Sequence, residues 1–288
     1  MTQWNLPELL PLVLESGRIA LSYFDYPEKE YKEDNSIVTL ADKTIEAFLT
    51  SRLNHPEAGS YLLGEETIAL QSEEYLSAAF RHTAWVIDPI DGTAPFANNL
   101  PNWGVSIGFM QQGVLKEGVV FLAALGELYY TSQGTTWREK LGTEPQHWEA
   151  RLGHPLALKS PPGPEIPRGS MVSISQQLAR FGSYRLPFYV QVTGSSVFNM
   201  TRLAAGSFGA LVTKFRIWDF AACLPMLANL GWTMVFHGNG QPMGLTMDAS
   251  AINNIPGHVD RWSSLDHVVF APSLAAANDV RKKTAFDA

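Results

Sequence analysis

A single cysteine, Cys223, stands among 288 residues, so no intrachain disulfide can form, which fits a reducing compartment. Charge is scarce as well. Only 17% of residues are Asp, Glu, Lys or Arg, and the acids outnumber the bases to leave a net charge of −7. With no surplus of Lys and Arg to neutralise phosphates, a general nucleic-acid or anionic-membrane binder is excluded. A protein of this charge that handles phosphates needs bound cations to do so. No long hydrophobic run is present: the longest nearly uncharged stretch, 220–236, is interrupted by Pro225, Asn229 and Gly231 and is shorter than a membrane span usually needs. The first ten residues carry no basic segment ahead of an apolar one, so no secretory signal is read there and a cytoplasmic protein is expected. Internal repeats and low-complexity tracts are also missing. The seven histidines show no metal spacing, and Gly238-Asn239-Gly240 is a turn without a dinucleotide fingerprint.

What is there reads as globular: 45% of residues are hydrophobic, enough for one large domain or two tightly joined halves. Leu6, Leu9, Leu10, Val13, Gly17, Ala20, Leu21 and Phe24 fall at helical spacing. Thr39 can cap a second helix whose apolar stripe is Ile45, Phe48, Leu49 and Leu53. Tyr61-Leu62-Leu63 and Ala84-Trp85-Val86-Ile87 read as buried strands, each ending in a glycine-bearing acidic turn. Residues 105–109 and 118–131 look like paired strands about a Gln111-Gln112-Gly113 turn. The Pro- and Gly-rich segment 159–169 is the best boundary between halves. Beyond it, 188–193 is strand-like, one helix is expected from about Ser195 to Gly206, and another from about Asp219 to Gly231.

The chemistry concentrates where strands end. In Trp85-Val86-Ile87-Asp88-Pro89-Ile90-Asp91-Gly92-Thr93 an apolar strand presents two carboxylates three residues apart, followed by a glycine and a hydroxyl. Pro89 stiffens the turn so that Asp88 and Asp91 can face one volume, and Gly92 lets backbone N–H groups approach an anion. Oxygen donors of this type suit magnesium. Taken singly, the other acids have ordinary explanations. Glu65 and Glu66 suit a solvated loop, Asp219 suits a helix cap, and Asp42 stands three residues after Thr39 as in a capping box. All four motifs in one chain strain those explanations.

In this order the residues resemble the inositol monophosphatase superfamily of magnesium-dependent, lithium-sensitive phosphatases. The motifs are the segment 32–42, Gly64-Glu65-Glu66, Asp88-Pro89-Ile90-Asp91-Gly92-Thr93, Gly194-Ser195 and Trp218-Asp219. The resemblance implies an α+β fold, an alternating αβαβα sandwich, with subdomains 1–158 and 159–288 and the site between them. It implies hydrolysis of a small phosphate monoester and two or three Mg2+ ions per site. Glu65, Asp88 and the Ile90 carbonyl would hold one ion, and Asp88, Asp91 and Asp219 a second. Glu65 and Asp42 would lie near a third, more weakly held. Thr93 would pair with Asp42 to orient the attacking water, the Gly92 and Thr93 amides would receive phosphate, and Ser195 would lie near the substrate. A homodimer is expected.

The chain departs from the family pattern at Ala94-Pro95, at Gln191, after Gly118 and near Thr213, where an acidic contact to inositol is missing. These departures spare the metal site and bear on the substrate. Lys214 and Arg216 alternate in 213–218 and so would share a face, a cationic wall for a second anionic group if that face is not merely solvated. A bisphosphorylated or otherwise extra-anionic substrate is therefore expected over myo-inositol monophosphate. Two rivals remain to be weighed. Gly104-Val105-Ser106-Ile107-Gly108 matches a serine-hydrolase elbow, but its apolar alternation continues straight through the serine. The other is a non-catalytic member that binds metal or a phosphorylated ligand as a sensor.

Overall fold

Leu9, Val13, Leu14 and Ala20 form the buried face of helix α1 (Leu6–Phe24), which lies beside α2 (Leu40–Leu53) on one side of a large sheet. The computed structural model describes residues 1–32 and 36–286. Glu33, Asp34 and Asn35, inside the 32–42 segment singled out above, lie outside the described residues. The sheet has seven strands whose spatial order follows the chain: β1 (Ser60–Gly64), β2 (Thr83–Asp91), β3 (Gly104–Gln111), β4 (Val114–Leu122), β5 (Glu127–Ser132), β6 (Thr135–Lys140) and β7 (Leu156–Ala157). β1 and β2 run parallel, joined through α3 (Glu73–Arg81), and the remaining neighbours are antiparallel.

A second sheet of five strands follows: β8 (Met171–Ile174), β9 (Tyr189–Gln191), β10 (Phe208–Thr213), β11 (Thr233–Phe236) and β12 (Val268–Ala271), in the order β9-β8-β10-β12-β11. Between the sheets lie α5 (Ser196–Ala204), α6 (Ile217–Phe220) and α7 (Cys223–Asn229), after the four-residue α4 (Thr93–Phe96) at the end of β2. Their side chains join residues of both sheets in one core that includes Val120, Leu122, Leu203, Leu211, Phe220, Leu227 and Phe270. Helix α8 (Leu274–Lys282) covers the outer face of the five-stranded sheet through Ala277 and Val280. The layers therefore read helix, sheet, helix, sheet, helix, the αβαβα sandwich that the resemblance implied.

Local differences from the sequence reading have physical causes. The stretch 118–131 is two strands, broken at Ala123–Leu125 by a short 3-10 turn that ends in left-handed Gly126. The helix expected from Asp219 begins at Ile217 and is interrupted at Ala221 and Ala222. At that point the helices lie directly on the sheet. A Cβ built on Gly118 would come within 2.0 Å of the Ala222 carbonyl oxygen, and one on Gly108 within 2.6 Å of the Ala221 Cβ. Gly108 thus serves close packing. Ser106 is fully buried mid-strand, and the nucleophile-elbow geometry is absent there. Among the described residues, no helix is long and apolar enough to cross a membrane.

Candidate active site

In a regular strand, residues three apart point to opposite faces. Asp88 and Asp91 escape this because the pairing of β2 with β3 is irregular between them, where Pro89 contributes no N–H to the ladder. Both carboxylates are buried. Asp219, in the first turn of α6, reaches the same place from the other side, and one carboxylate oxygen from each of Asp88, Asp91 and Asp219 lies within 4.8 Å of the others. The close docking of Ala221 and Ala222 on Gly108 and Gly118 delivers it there.

Each acid has its own support. Asp91 accepts from the Ser195 hydroxyl and from the amides of Ser196 at 3.3 Å and Val197 at 2.9 Å, so the N-terminus of α5 is aimed at it. Ser195, expected beside the substrate, is thereby engaged by a carboxylate and also caps α5 through Phe198 N–H. Asp219 Oδ2 accepts the Arg216 amide at 2.8 Å. Asp88 differs: its Oδ1 is buried and has no hydrogen-bond partner among the described residues. Burial, reinforced by the neighbouring carboxylates, pushes Asp88 and Asp219 well above the usual carboxylate range. Asp91 is lifted by burial to about 7 despite the Ser195 hydroxyl that favours its charged form. Such a set is costly when ionised alone and fits a hard divalent cation, because every donor is oxygen and one lone-pair site is left open.

Thr93 begins α4 after Gly92, whose φ of +91° is left-handed and whose Cβ, if added, would come within 2.8 Å of the Ser195 Cβ. Pro95, third in this helix, costs no internal bond because the N–H groups of the first turn have no intrahelical acceptor. The Thr93 hydroxyl lies 3.1 Å from the Ile90 carbonyl oxygen and 3.4 Å from Asp42 Oδ1. Asp42 is fully buried on α2. Its Oδ2 accepts from the Thr39 amide at 2.8 Å and hydroxyl at 2.6 Å, so the capping contact and the approach to Thr93 coexist. Burial raises Asp42 to about 7, against those hydrogen bonds.

Glu65 is held differently. Lys32 Nζ lies 3.2 Å from Glu65 Oε1 and 2.7 Å from Glu66 Oε1, a bridge the sequence did not suggest. Lys214 and Arg216 lie beyond the end of β10, in extended chain rather than in the strand. Both line a cavity of about 480 Å³ that also meets Glu65, Asp219, Gln177 and Trp218. Lys214 pairs with Asp260 at 3.2 Å, and the Arg216 guanidinium stands 5.7 Å over the Trp218 ring.

Comparison with known proteins places this geometry in context. The model of the inositol monophosphatase family matches residues 10–272. A histidinol-phosphatase of Chlorobaculum parvum is 34% identical over 133 residues, 46% of this chain and 49% of that protein, so the match spans about half of that relative. An inositol-1-monophosphatase of Bacillus subtilis is 28% identical over 242 residues, 81% of this chain and 86% of that protein. A solved IMPase/NADP phosphatase complexed with Mg2+ and phosphate shares the fold, with a TM-score of 0.67 at 17% identity over 96% of this chain and 94% of that one.

Proposed function

The chain belongs to the inositol monophosphatase family, and from that premise we propose that it is a magnesium-dependent phosphoric monoester hydrolase. One observation carries the proposal: three carboxylates from two distant segments converge within 4.8 Å, and Asp88 leaves a buried oxygen without a hydrogen-bond partner among the described residues. In this reading Glu65, Asp88 and the Ile90 carbonyl would hold one magnesium, and Asp88, Asp91 and Asp219 would hold another. Magnesium, when bound, offsets the charge of these acids and polarises the phosphoryl oxygens and the attacking water. The neighbour solved with Mg2+ and phosphate supports that choice of ion.

The chain's own residues do the positioning. The Thr93 hydroxyl has one proton; given to Asp42, it leaves the oxygen lone pairs open to accept from a water. Asp42, facing the Thr93 hydroxyl, is placed to receive the proton that water loses. The Gly92 amide just before α4 and the Thr93 amide that opens it have no intrahelical acceptor and suit the phosphate oxygens. Ser195 acts here by fixing Asp91. The cavity bearing Lys214 and Arg216 receives the rest of the substrate, and a second anionic group would meet both. Phosphate release is the test, measured with and without magnesium on inositol phosphates, sugar bisphosphates, a 3′-phosphoadenosine nucleotide and histidinol phosphate. Magnesium-dependent release from at least one is expected. Inactivity on all of them beside intact metal binding would favour a sensor instead.

A further inference from the structure

Glu46 is a buried acid beside the site that the reading above leaves without work. It stands one helical turn after Asp42 on α2, so both acids share a face, and both are almost wholly buried at 1% and 0% exposure. Its Oε2 accepts the Glu66 amide at 2.9 Å, while Oε1 is buried with no hydrogen-bond partner among the described residues. The same carboxylate lies flat against Gly64, where an added Cβ would come within 2.4 Å of its Cδ and Oε1. Glu65 is therefore bracketed, with Glu46 touching the residue before it and the residue after it. On the other side the Glu65 amide donates to the Ile87 carbonyl at 3.3 Å, one residue before Asp88.

We propose that Glu46 is a positioning residue. It clamps the Gly64-Glu65-Glu66 turn so that the Glu65 carboxylate faces the Asp88, Asp91 and Asp219 oxygens, and its loss weakens magnesium binding. This rests on the magnesium reading above. An acid that served packing alone would be replaceable by any side chain of its volume. What an apolar isostere cannot supply is an acceptor for the Glu66 amide at the back of the turn. Residues that hold ligands from behind typically change metal affinity or activity by about 10–100-fold when altered.

The test is a magnesium titration of the full chain, read by thermal shift in the absence of substrate and separately by phosphate release. Glu46→Met keeps the volume and removes the acceptor. Glu46→Gln keeps both. Glu46→Asp keeps the charge but withdraws it by one methylene. The half-saturating magnesium concentration should rise about tenfold or more in Glu46→Met and Glu46→Asp, and stay within about threefold of wild type in Glu46→Gln. Substrate KM at saturating magnesium should hardly move. If Glu46→Met fails to fold, Glu46→Asp and Glu46→Gln carry the comparison. Variants that lower the metal-free melting temperature but titrate like wild type would overturn the positioning role. A wild-type protein that shows no magnesium-dependent shift would overturn the magnesium reading, and this inference with it.

Discussion

Stability without metal should fall as pH rises. Asp42 and Asp91 are each lifted from the ordinary 3.8 to about 7, by burial above all. A raised folded pKa means that the folded state keeps a proton the unfolded chain has released. The stabilising effect is full below about 4 and is lost as pH climbs through about 7. At about 1.36 kcal/mol per pKa step, each rise corresponds to about 4 kcal/mol, and Asp88 and Asp219 shift in the same direction. Against a total stability of roughly 5–15 kcal/mol, even one such acid weighs heavily. From pH 5 upward only the two steps to about 7 remain to be lost, about 2.7 kcal/mol per acid, and for a chain of this size about 2 °C per kcal/mol makes that about 5 °C. Melting curves in EDTA should therefore drop by at least about 5 °C between pH 5 and pH 8. Magnesium should restore the loss at pH 8 and do little at pH 5, where protons already occupy the site. Asp88→Asn should make the metal-free profile shallower, since Asp42 and Asp91 remain, abolish the magnesium effect and lower turnover by about a hundredfold or more. A metal-free melting temperature that is flat or rises from pH 5 to 8 would refute the reasoning, as would a magnesium shift of equal size at both.

The remaining expectations are read by kinetics and melting. Thr93→Ala should lower kcat by about a hundredfold or more while KM moves less than about threefold; a loss confined to KM would leave Thr93 only a phosphate contact. Lys214→Glu should cost roughly tenfold in kcat/KM on a bisphosphate, less on a monophosphate, and less again at high salt. That figure is the lower end for a charge-assisted contact, because Asp260 already engages the ammonium. Equal losses on both substrates would return Lys214 to the solvated surface. Gly118→Ala puts a methyl against the backbone of Ala222, so a loss of about 1–3 kcal/mol is expected in melting curves, with activity falling as Asp219 is displaced. Unchanged stability and turnover would contradict the close docking of the helices.

The parts of this protein that were legible are those written in neighbouring residues. The apolar run Trp85-Val86-Ile87 is a central strand with buried flanks, and the helix from Leu6 to Phe24 follows its leucine spacing. Thr39 and Asp42 could be read as a cap because their contact spans three residues. Asp88 and Asp91 could be suspected of one purpose because a proline stands between them. The layer order was different. It came from resemblance, since nothing in a periodicity of two or 3.6 says which face of a strand meets which helix.

What stayed hidden depends on partners far apart in the chain. Ser195 looks like a helix cap and is one, but its hydroxyl serves Asp91, more than a hundred residues earlier. Lys32 opens the 32–42 segment, but nothing near it in the chain says that the fold brings Glu65 and Glu66 against it. Glu46 did leave a trace, since it is an acid set between Ile45 and Leu49, on a helix whose neighbouring positions are buried. A charge there needs a buried reason, and the reason is the amide of Glu66. The same logic reaches the glycines. Gly64 precedes the acidic pair because the Glu46 carboxylate occupies the space a side chain would need, and Gly108 and Gly118 admit the helices that carry Asp219. Each glycine is explained by an atom from a distant segment, so the acids mark where the chemistry is and the glycines mark what must come close to assemble it.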